Sequence, residues 1–132
     1  MKFMLIQNYS PIPGVEAMSR WKPEEVRGHI DFQRRLNAEL IANGELVDAQ
    51  ALTGPEQAQL VTYVEGGAPV VSDGPFAEAK ELLAGYRIVD VDSRERAIEI
   101  AAQVSAAPGP GGGPIRQPIE LREVMSDARL TE

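Results

Sequence analysis

Val71-Ser72-Asp73-Gly74-Pro75-Phe76-Ala77-Glu78-Ala79-Lys80-Glu81 marks the place where the two halves of this chain meet. A β-branched run stops at Asp73-Gly74, a strong turn dipeptide, and Pro75 suits the first position of a helix. The stretch therefore predicts a strand end, a sharp turn and one or two turns of helix up to Leu83. We expect Gly74 to adopt a positive φ, because the residue before a proline is barred from the α region. Asp73 could cap that helix or stay free at the edge of a pocket.

The composition limits the classes of protein that this chain can belong to. A length of 132 residues favours one domain, which we place at residues 1–125, with a polar tail at residues 126–132. The net charge of −7 argues against a nucleic-acid surface, which needs a basic patch. The chain has no cysteine and one histidine, which excludes disulfides, thiolate sites and His-rich metal sites. No segment is as long as a signal-peptide core or a membrane span, so we expect a cytoplasmic protein.

The order of the predicted elements indicates an α+β fold. Strand, helix and strand are followed by a hairpin and then by a second strand, helix and strand. This order suggests a ferredoxin-like sandwich with both helices on one face of an antiparallel sheet. The strands carry apolar residues on both faces, so we expect a second copy of the chain to cover the other face. The expected strands are residues 2–9, 46–52, 59–64, 70–71, 86–91 and one within 115–125, and the expected helices are residues 23–43 and 94–106.

The first predicted helix carries a polar stripe within its apolar face. His29, Gln33 and Asn37 are spaced four residues apart, so they lie above one another on the helix. The backbone groups of a sheet are already paired, so we expect the helix to stand off the sheet here and leave a polar cavity with Asp73 at its mouth. Trp21, just before the helix, should pack as a lid or against a partner chain. The apolar face is predicted to contain Val26, Ile30, Phe32, Leu36, Leu40 and Ile41.

The central motif resembles that of a known family. Asp73 to Glu81, followed by Leu83-Ala84-Gly85-Tyr86 and a strand ending at Val91-Asp92, is similar to the DGPF group of the YCII-related family. The order of elements is similar from residue 1 to about residue 125. Glu120-Leu121-Arg122-Glu123-Val124 resembles the closing strand of the family, with a glutamate where the family usually has a proline. The resemblance implies a homodimer of the dimeric α/β-barrel type.

The same resemblance implies a candidate site. Proteins of this family carry a histidine in the first helix and an aspartate further on, interpreted as an acid/base pair, and these positions fall on His29 and Asp73. A carboxylate can fix the tautomer of an imidazole and raise its basicity. In that case Gln33 and Asn37 would contact a small-molecule substrate. The alternative is a helix histidine without a role.

Two functions from different classes are consistent with these features. The first is a cofactor-independent enzyme with lyase-like chemistry on a small aromatic or halogenated compound, because the wider YCII group includes lyases that remove chloride from hydroquinones. The second is a non-enzymatic dimeric binding or accessory protein, because genes of the DGPF group often accompany sigma factors of the extracytoplasmic-function type. The chain has no cofactor fingerprint, and Asp90 and Asp92 are too few to predict a metal site. We therefore expect neither a cofactor nor a metal.

Overall fold

A computed structural model of the protein describes residues 1–8, 12, 14–74 and 83–125. The predicted helix after Asp73 and the polar tail at 126–132 lie outside these residues. Short 3-10 turns occur at Met18–Arg20, Pro55–Gln57 and Pro110–Gly112. The longer elements are β1 (Lys2–Asn8), α1 (Pro23–Ala42), β2 (Leu46–Ala51), β3 (Gln59–Thr62), β4 (Val70–Asp73), β5 (Leu83–Asp90), α2 (Arg94–Ser105) and β6 (Glu120–Glu123).

Four of the strands form an open antiparallel sheet in the order β2-β5-β1-β6. The two central strands, β1 and β5, come from different halves of the chain, and each half has the order strand, helix, strand. Within the described residues, strands β3 and β4 pair only with each other, as the hairpin between the halves. The predicted α+β class, the antiparallel sheet and the two helices are thereby confirmed. None of the described helices is long and apolar enough to cross a bilayer.

The core lies between the sheet and both helices. Phe3 and Leu5 of β1 pair with Val89 and Arg87 of β5, which places all four side chains on one face of the sheet. Burying an aliphatic or phenylalanine side chain contributes about 1.5–3 kcal/mol to folding, so this cluster holds both helices against one sheet face. Its helical members are Leu36 and Leu40 of α1 and Ala97, Ile100 and Val104 of α2.

The ends of α1 follow from its sequence. Pro23 occupies the first turn, and the side chain of Glu25 accepts a hydrogen bond from the backbone N–H of Lys22 at 2.9 Å. At the other end, Gly44 has φ 71°, which is the left-handed conformation that a glycine adopts without strain. Its N–H donates to Ile41 O, and the N–H of Glu45 donates to Leu40 O. These bonds satisfy the last carbonyls of the helix and turn the chain directly into β2.

The orientation of α1 differs in part from the predicted one. Ile30 and Ile41, which we expected in the core, are 41% and 63% exposed. The helix is rotated so that His29 is buried and Gln33 is half-buried on the core side, next to buried Leu36. The apolar pattern alone predicted a broader buried face on α1. That pattern does not show that a side chain of the sheet bonds to the polar stripe.

The second face of the sheet is also partly apolar. Met4 and Ile6 of β1 and Ile88 of β5 are half-buried and point away from the face on which both described helices lie. Opposite residues of an antiparallel pair share a face, so Met4 and Ile88 form one cross-strand pair there. The predicted two-sided apolar character of the central strands is therefore confirmed.

Gly74 corrects one prediction about backbone conformation. Its φ is not in the left-handed region, so the expected positive φ is wrong. The restriction is instead one of space, because a Cβ added at Gly74 would lie 2.6 Å from Cγ of Leu60. The N–H of Gly74 donates to Ala58 O at 3.1 Å, which continues the antiparallel pairing just past the end of β4.

Candidate functional site

His29 lies in the second turn of α1 and is only 8% exposed. Its Nδ1 lies 2.9 Å from the backbone oxygen of Pro108, in the segment that follows α2. A carbonyl oxygen can only accept, so Nδ1 carries the hydrogen and donates it. Nε2 of the neutral ring then has a lone pair, which accepts a hydrogen bond from the Nε2 amide of Gln33 at 3.3 Å. The surroundings of His29 therefore favour one tautomer of the ring.

Arg87 connects the rest of the polar stripe to the sheet. Its Nη2 donates to Oε1 of Gln33 at 2.5 Å, and its Nε donates to Oδ1 of Asn37 at 2.8 Å. Together with the bonds of His29, these contacts form a directed chain from the guanidinium through Gln33 and His29 to the carbonyl of Pro108. Each donor in this chain meets an acceptor, which fixes the orientation of the Gln33 amide as well as the tautomer of His29.

The contacts of Arg87 overturn one expectation about the stripe. We expected the sheet to offer few hydrogen-bond partners, but a strand side chain supplies two donors to it. The role of Arg87 was missed in the sequence, although a signal was present. Arg87 alternates with Val89 and Val91 on the buried face of its strand, where a charged residue is unusual.

Burial changes the electrostatics of Arg87. The side chain is 4% exposed, and this burial lowers the pKa of the guanidinium, because removal from water disfavours the charged form. None of the ion pairs among the described residues includes Arg87. Two neutral amide oxygens therefore provide the hydrogen bonds that the structure gives this cation.

The segment that supplies the Pro108 carbonyl is held against α1. The N–H of Gly109 donates to Gly113 O, which closes a short loop. The N–H of Gly111, a residue with φ 72°, donates to Oε2 of Glu25 at 2.6 Å. The backbone hydrogen bonds from Lys22 and then from Gly111 lower the pKa of the Glu25 carboxyl. The start of α1 thus anchors the loop that orients His29.

Trp21 covers the exposed side of the histidine. Its ring meets the ring of His29 edge to face, with centroids 5.5 Å apart and an interplanar angle of 74°. The indole Nε1 donates to Glu16 O at 2.8 Å, and the ring also lies close to Gly109. Of the two alternatives for Trp21, packing as a cover within its own chain is the one observed.

Asp73 lies in a different part of the fold. It is the last residue of β4, pairs with Gln59, and is exposed. No hydrogen bond or ion pair within the described ranges joins it to His29, so the acid/base pair stays a prediction. The structure brings together His29 and Gln33 directly, and it adds Asn37 through Arg87.

The topology nevertheless directs both residues toward one end of the sheet. Only residues 43–45 separate α1 from β2, so the two elements run in opposite directions. His29, near the start of α1, therefore lies toward the end of β2 at Ala51, from which the chain enters the hairpin. An apolar cleft of about 310 Å³ opens at this end. Leu52, Ala58, Leu60 and Leu83 are among its lining residues, and Leu60 is the residue that Gly74 packs against.

Metal ligands do not cluster in the part of the chain that the structure describes. No three side chains of the His, Cys, Asp or Glu type converge there in a way that would hold an ion. The arrangement around His29 offers a proton acceptor at Nε2, a buried cation and two amide groups. These groups suit acid/base chemistry and hydrogen bonding to a small molecule.

Comparisons with known proteins add a family context. Residues 1–111 match the YCII-related domain. An uncharacterized protein of Rhizobium meliloti (strain 1021) is 30% identical over 99 residues, which are 74% of this chain and 79% of the relative. The matched span of the domain includes His29, Gln33, Arg87 and the Pro108 carbonyl.

Proposed function

Because the chain belongs to the YCII-related family, we propose that it is a cofactor-independent enzyme in which His29 moves a proton on a small molecule. The observation that supports this proposal is the fixed orientation of the His29 imidazole. His29 is the single histidine of the chain, it is buried, and the Pro108 carbonyl leaves Nε2 as its proton acceptor. A neutral imidazole with an oriented Nδ1–H is the usual form of a histidine general base.

The contacts of His29 suit both of its protonation states. When Nε2 takes a proton, the Nδ1–H bond to Pro108 O strengthens, because the donor becomes charged. The Gln33 amide must then leave Nε2, since both groups would be donors. At 3.3 Å this bond lies beyond the usual range for a strong N–H···N contact, so a substrate can replace it at small cost.

The chemistry implied by the family resemblance is an elimination. A hydroxyl proton first moves to the neighbouring chlorine-bearing carbon, which makes that carbon tetrahedral and leaves a carbonyl beside it. Nε2 of His29 then takes the proton of the opposite hydroxyl, and the electron pair of that O–H bond forms a second carbonyl. The adjacent ring double bond moves to the chlorine-bearing carbon, and chloride leaves with the electron pair of the carbon–chlorine bond, so that a quinone is formed. No external oxidant or reductant is consumed, so the reaction needs no redox cofactor.

Asp73 is the second acid/base residue of this proposal. Its support is topological, since both residues lie toward the end of the sheet where the apolar cleft opens. A small aromatic compound in that cleft would contact Leu60 of the hairpin and Leu83 at the start of β5. Gln33 and Asn37 then serve as substrate contacts.

The test is chloride release from a chlorinated hydroquinone. His29→Asn keeps a donor for the Pro108 carbonyl but lacks a basic nitrogen at Nε2, so we expect a rate loss of about 10²–10⁴-fold with an unchanged melting temperature. Asp73→Asn should also slow the reaction, whereas Asp31→Asn, an exposed carboxyl on the same helix as His29, should not. Full activity in His29→Asn, or no chloride release by the wild-type protein, would contradict the proposal.

A second candidate function is that of a dimeric binding or accessory protein. It is favoured by the half-buried second sheet face and by a hairpin whose Val61, Tyr63 and Val71 are exposed. We propose that a second copy covers the sheet face, giving a ferredoxin-like sandwich paired as a dimeric α/β barrel. The resemblance to the DGPF group connects this alternative with extracytoplasmic-function sigma factors. Chloride release that depends on His29 would decide for the enzyme.

A further inference from the structure

The centre of the site is a buried cation that has neutral partners. Arg87 is 4% exposed, and its Nε and Nη2 donate to the amide oxygens of Asn37 and Gln33. No carboxylate of a described residue forms an ion pair with it. A buried charge usually has an opposite charge beside it, because amide dipoles replace only part of the hydration that burial removes.

Arg96 provides the contrast within the same chain. It is part-exposed, yet it forms ion pairs with two carboxylates, Glu45 at 2.8 Å and Glu99 at 3.1 Å. Arg96, whose charge solvent can screen, therefore has charged partners. Arg87, which is the more buried of the two, has no carboxylate partner among the described residues. This is the reverse of the arrangement that stability alone would favour.

Gln33 defines the chemistry that a ligand would need. Its oxygen accepts from Arg87 and its nitrogen donates to Nε2 of His29, so one small planar group spans both partners. The residue is half-buried, and its flexible side chain can turn away from Arg87 and His29. A ligand that takes its place must present an acceptor to Arg87, and an anionic acceptor also supplies the negative charge that the Gln33 amide lacks.

We propose that the site around His29 takes a small organic oxyanion, such as a carboxylate or a phenolate. Its anionic oxygen replaces Oε1 of Gln33 on Arg87, and it sets a neighbouring hydrogen beside Nε2 of His29. This proposal rests on the proposed function, which places the substrate beside His29. The new claim is that the substrate is an anion. Arg87 is then a substrate-binding residue, and the ligand supplies the negative charge that the cation lacks among the described residues.

The test compares two probes of nearly equal shape, benzoate and benzamide, at constant ionic strength. Trp21, the single tryptophan, lies against His29 and reports on the site by fluorescence. We expect benzoate to bind saturably and benzamide to bind about tenfold or more weakly, because a hydrogen-bonded charge is lost. Equal binding of the two probes, or no saturable binding of either, would overturn the proposal without any variant.

Variants locate the binding and separate this proposal from the catalytic one. Arg87→Met should abolish benzoate binding, whereas Arg35→Met, at an exposed arginine on α1, should leave it unchanged. Benzoate bound by Arg87→Met as tightly as by the wild-type protein would place the anion elsewhere and refute the inference. His29→Asn should still bind benzoate, monitored by the same fluorescence. A protein that binds benzoate through Arg87 but releases no chloride would refute the elimination and leave the oxyanion site standing.

Discussion

At the scale of single residues, the site depends on one charged side chain in an apolar strand. Arg87 orients Gln33, and Gln33 in turn contacts the basic nitrogen of His29. An unpaired buried polar group costs about 1–3 kcal/mol, so the three-residue stripe on α1 is tolerated only because these partners exist. The polar spacing of the stripe was visible in the sequence, but its partners were not, since Pro108 is 79 residues away from His29.

Glu25 gives a prediction about pH. Its carboxylate accepts from the N–H groups of Lys22 and Gly111, and these bonds lower its pKa below the ordinary 4.5. A lowered folded-state pKa means that the stabilisation is complete above the unfolded value and is lost as the pH falls through the folded value. We expect Glu25→Gln to be less stable than the wild-type protein at neutral pH. Urea denaturation should show this difference shrinking as the pH drops below 4.5.

Two controls accompany the Glu25 prediction. Glu24→Gln changes an exposed neighbouring carboxyl in the same helical turn and should show a smaller dependence on pH. The reading of Glu25 as the anchor of the loop is wrong if the stability difference between Glu25→Gln and the wild-type protein stays constant from pH 7 to about pH 3.

At the scale of elements, close packing against Leu60 restricts the turn after β4. Gly74 was correctly singled out as a position that resists other residues, but the reason was wrong. The sequence around a proline suggested a positive φ, whereas the contact that matters is with Leu60 in the neighbouring strand. A cross-strand contact of this kind cannot be predicted from the turn residues, because it depends on the register of the hairpin.

Gly74→Ala should therefore lower the melting temperature through a clash with Leu60. The added Cβ would lie 2.6 Å from Cγ of Leu60, closer than carbon atoms can approach, so the Leu60 side chain or the hairpin must shift. We expect a loss of about 1–3 kcal/mol, as for other overpacked sites. In the double variant Gly74→Ala/Leu60→Ala the two changes should cost less than the sum of the single ones. Strict additivity in thermal unfolding would argue against crowding as the cause.

At the scale of the whole molecule, the sheet and both helices were predictable, and the second face points to an interface. Alternation in β1 and β5 indicated apolar residues on both sides, and the described helices cover one side. The rotation of α1, with Ile30 and Ile41 exposed, was not predictable from the same pattern. Apolar residues outnumber the core positions of that helix, and the side of α1 that faces the sheet also has to bring Gln33 and Asn37 to Arg87.

The half-buried apolar face of the sheet, opposite the described helices, predicts a homodimer. A sheet-to-sheet interface of an obligate dimer buries on the order of 2,000 Å² or more in total. Ile88→Lys places a charge at the centre of this face without entering the core on the other side, so it should convert the dimer to a monomer that stays folded. Ile98→Lys, at an exposed isoleucine of α2 on the opposite side of the sheet, serves as the matched control. A wild-type monomer by light scattering at micromolar concentration would contradict the prediction.

The most direct test of the site is the tautomer of His29, because the chain has one histidine and its imidazole gives a single set of nitrogen signals. Long-range proton–nitrogen NMR of histidine-labelled protein, recorded under conditions where the ring is neutral, reads this tautomer. We predict the form with the hydrogen on Nδ1, held by the Pro108 carbonyl, with Nε2 as the unprotonated nitrogen. A spectrum with the hydrogen on Nε2 would contradict the account of His29 as an oriented base.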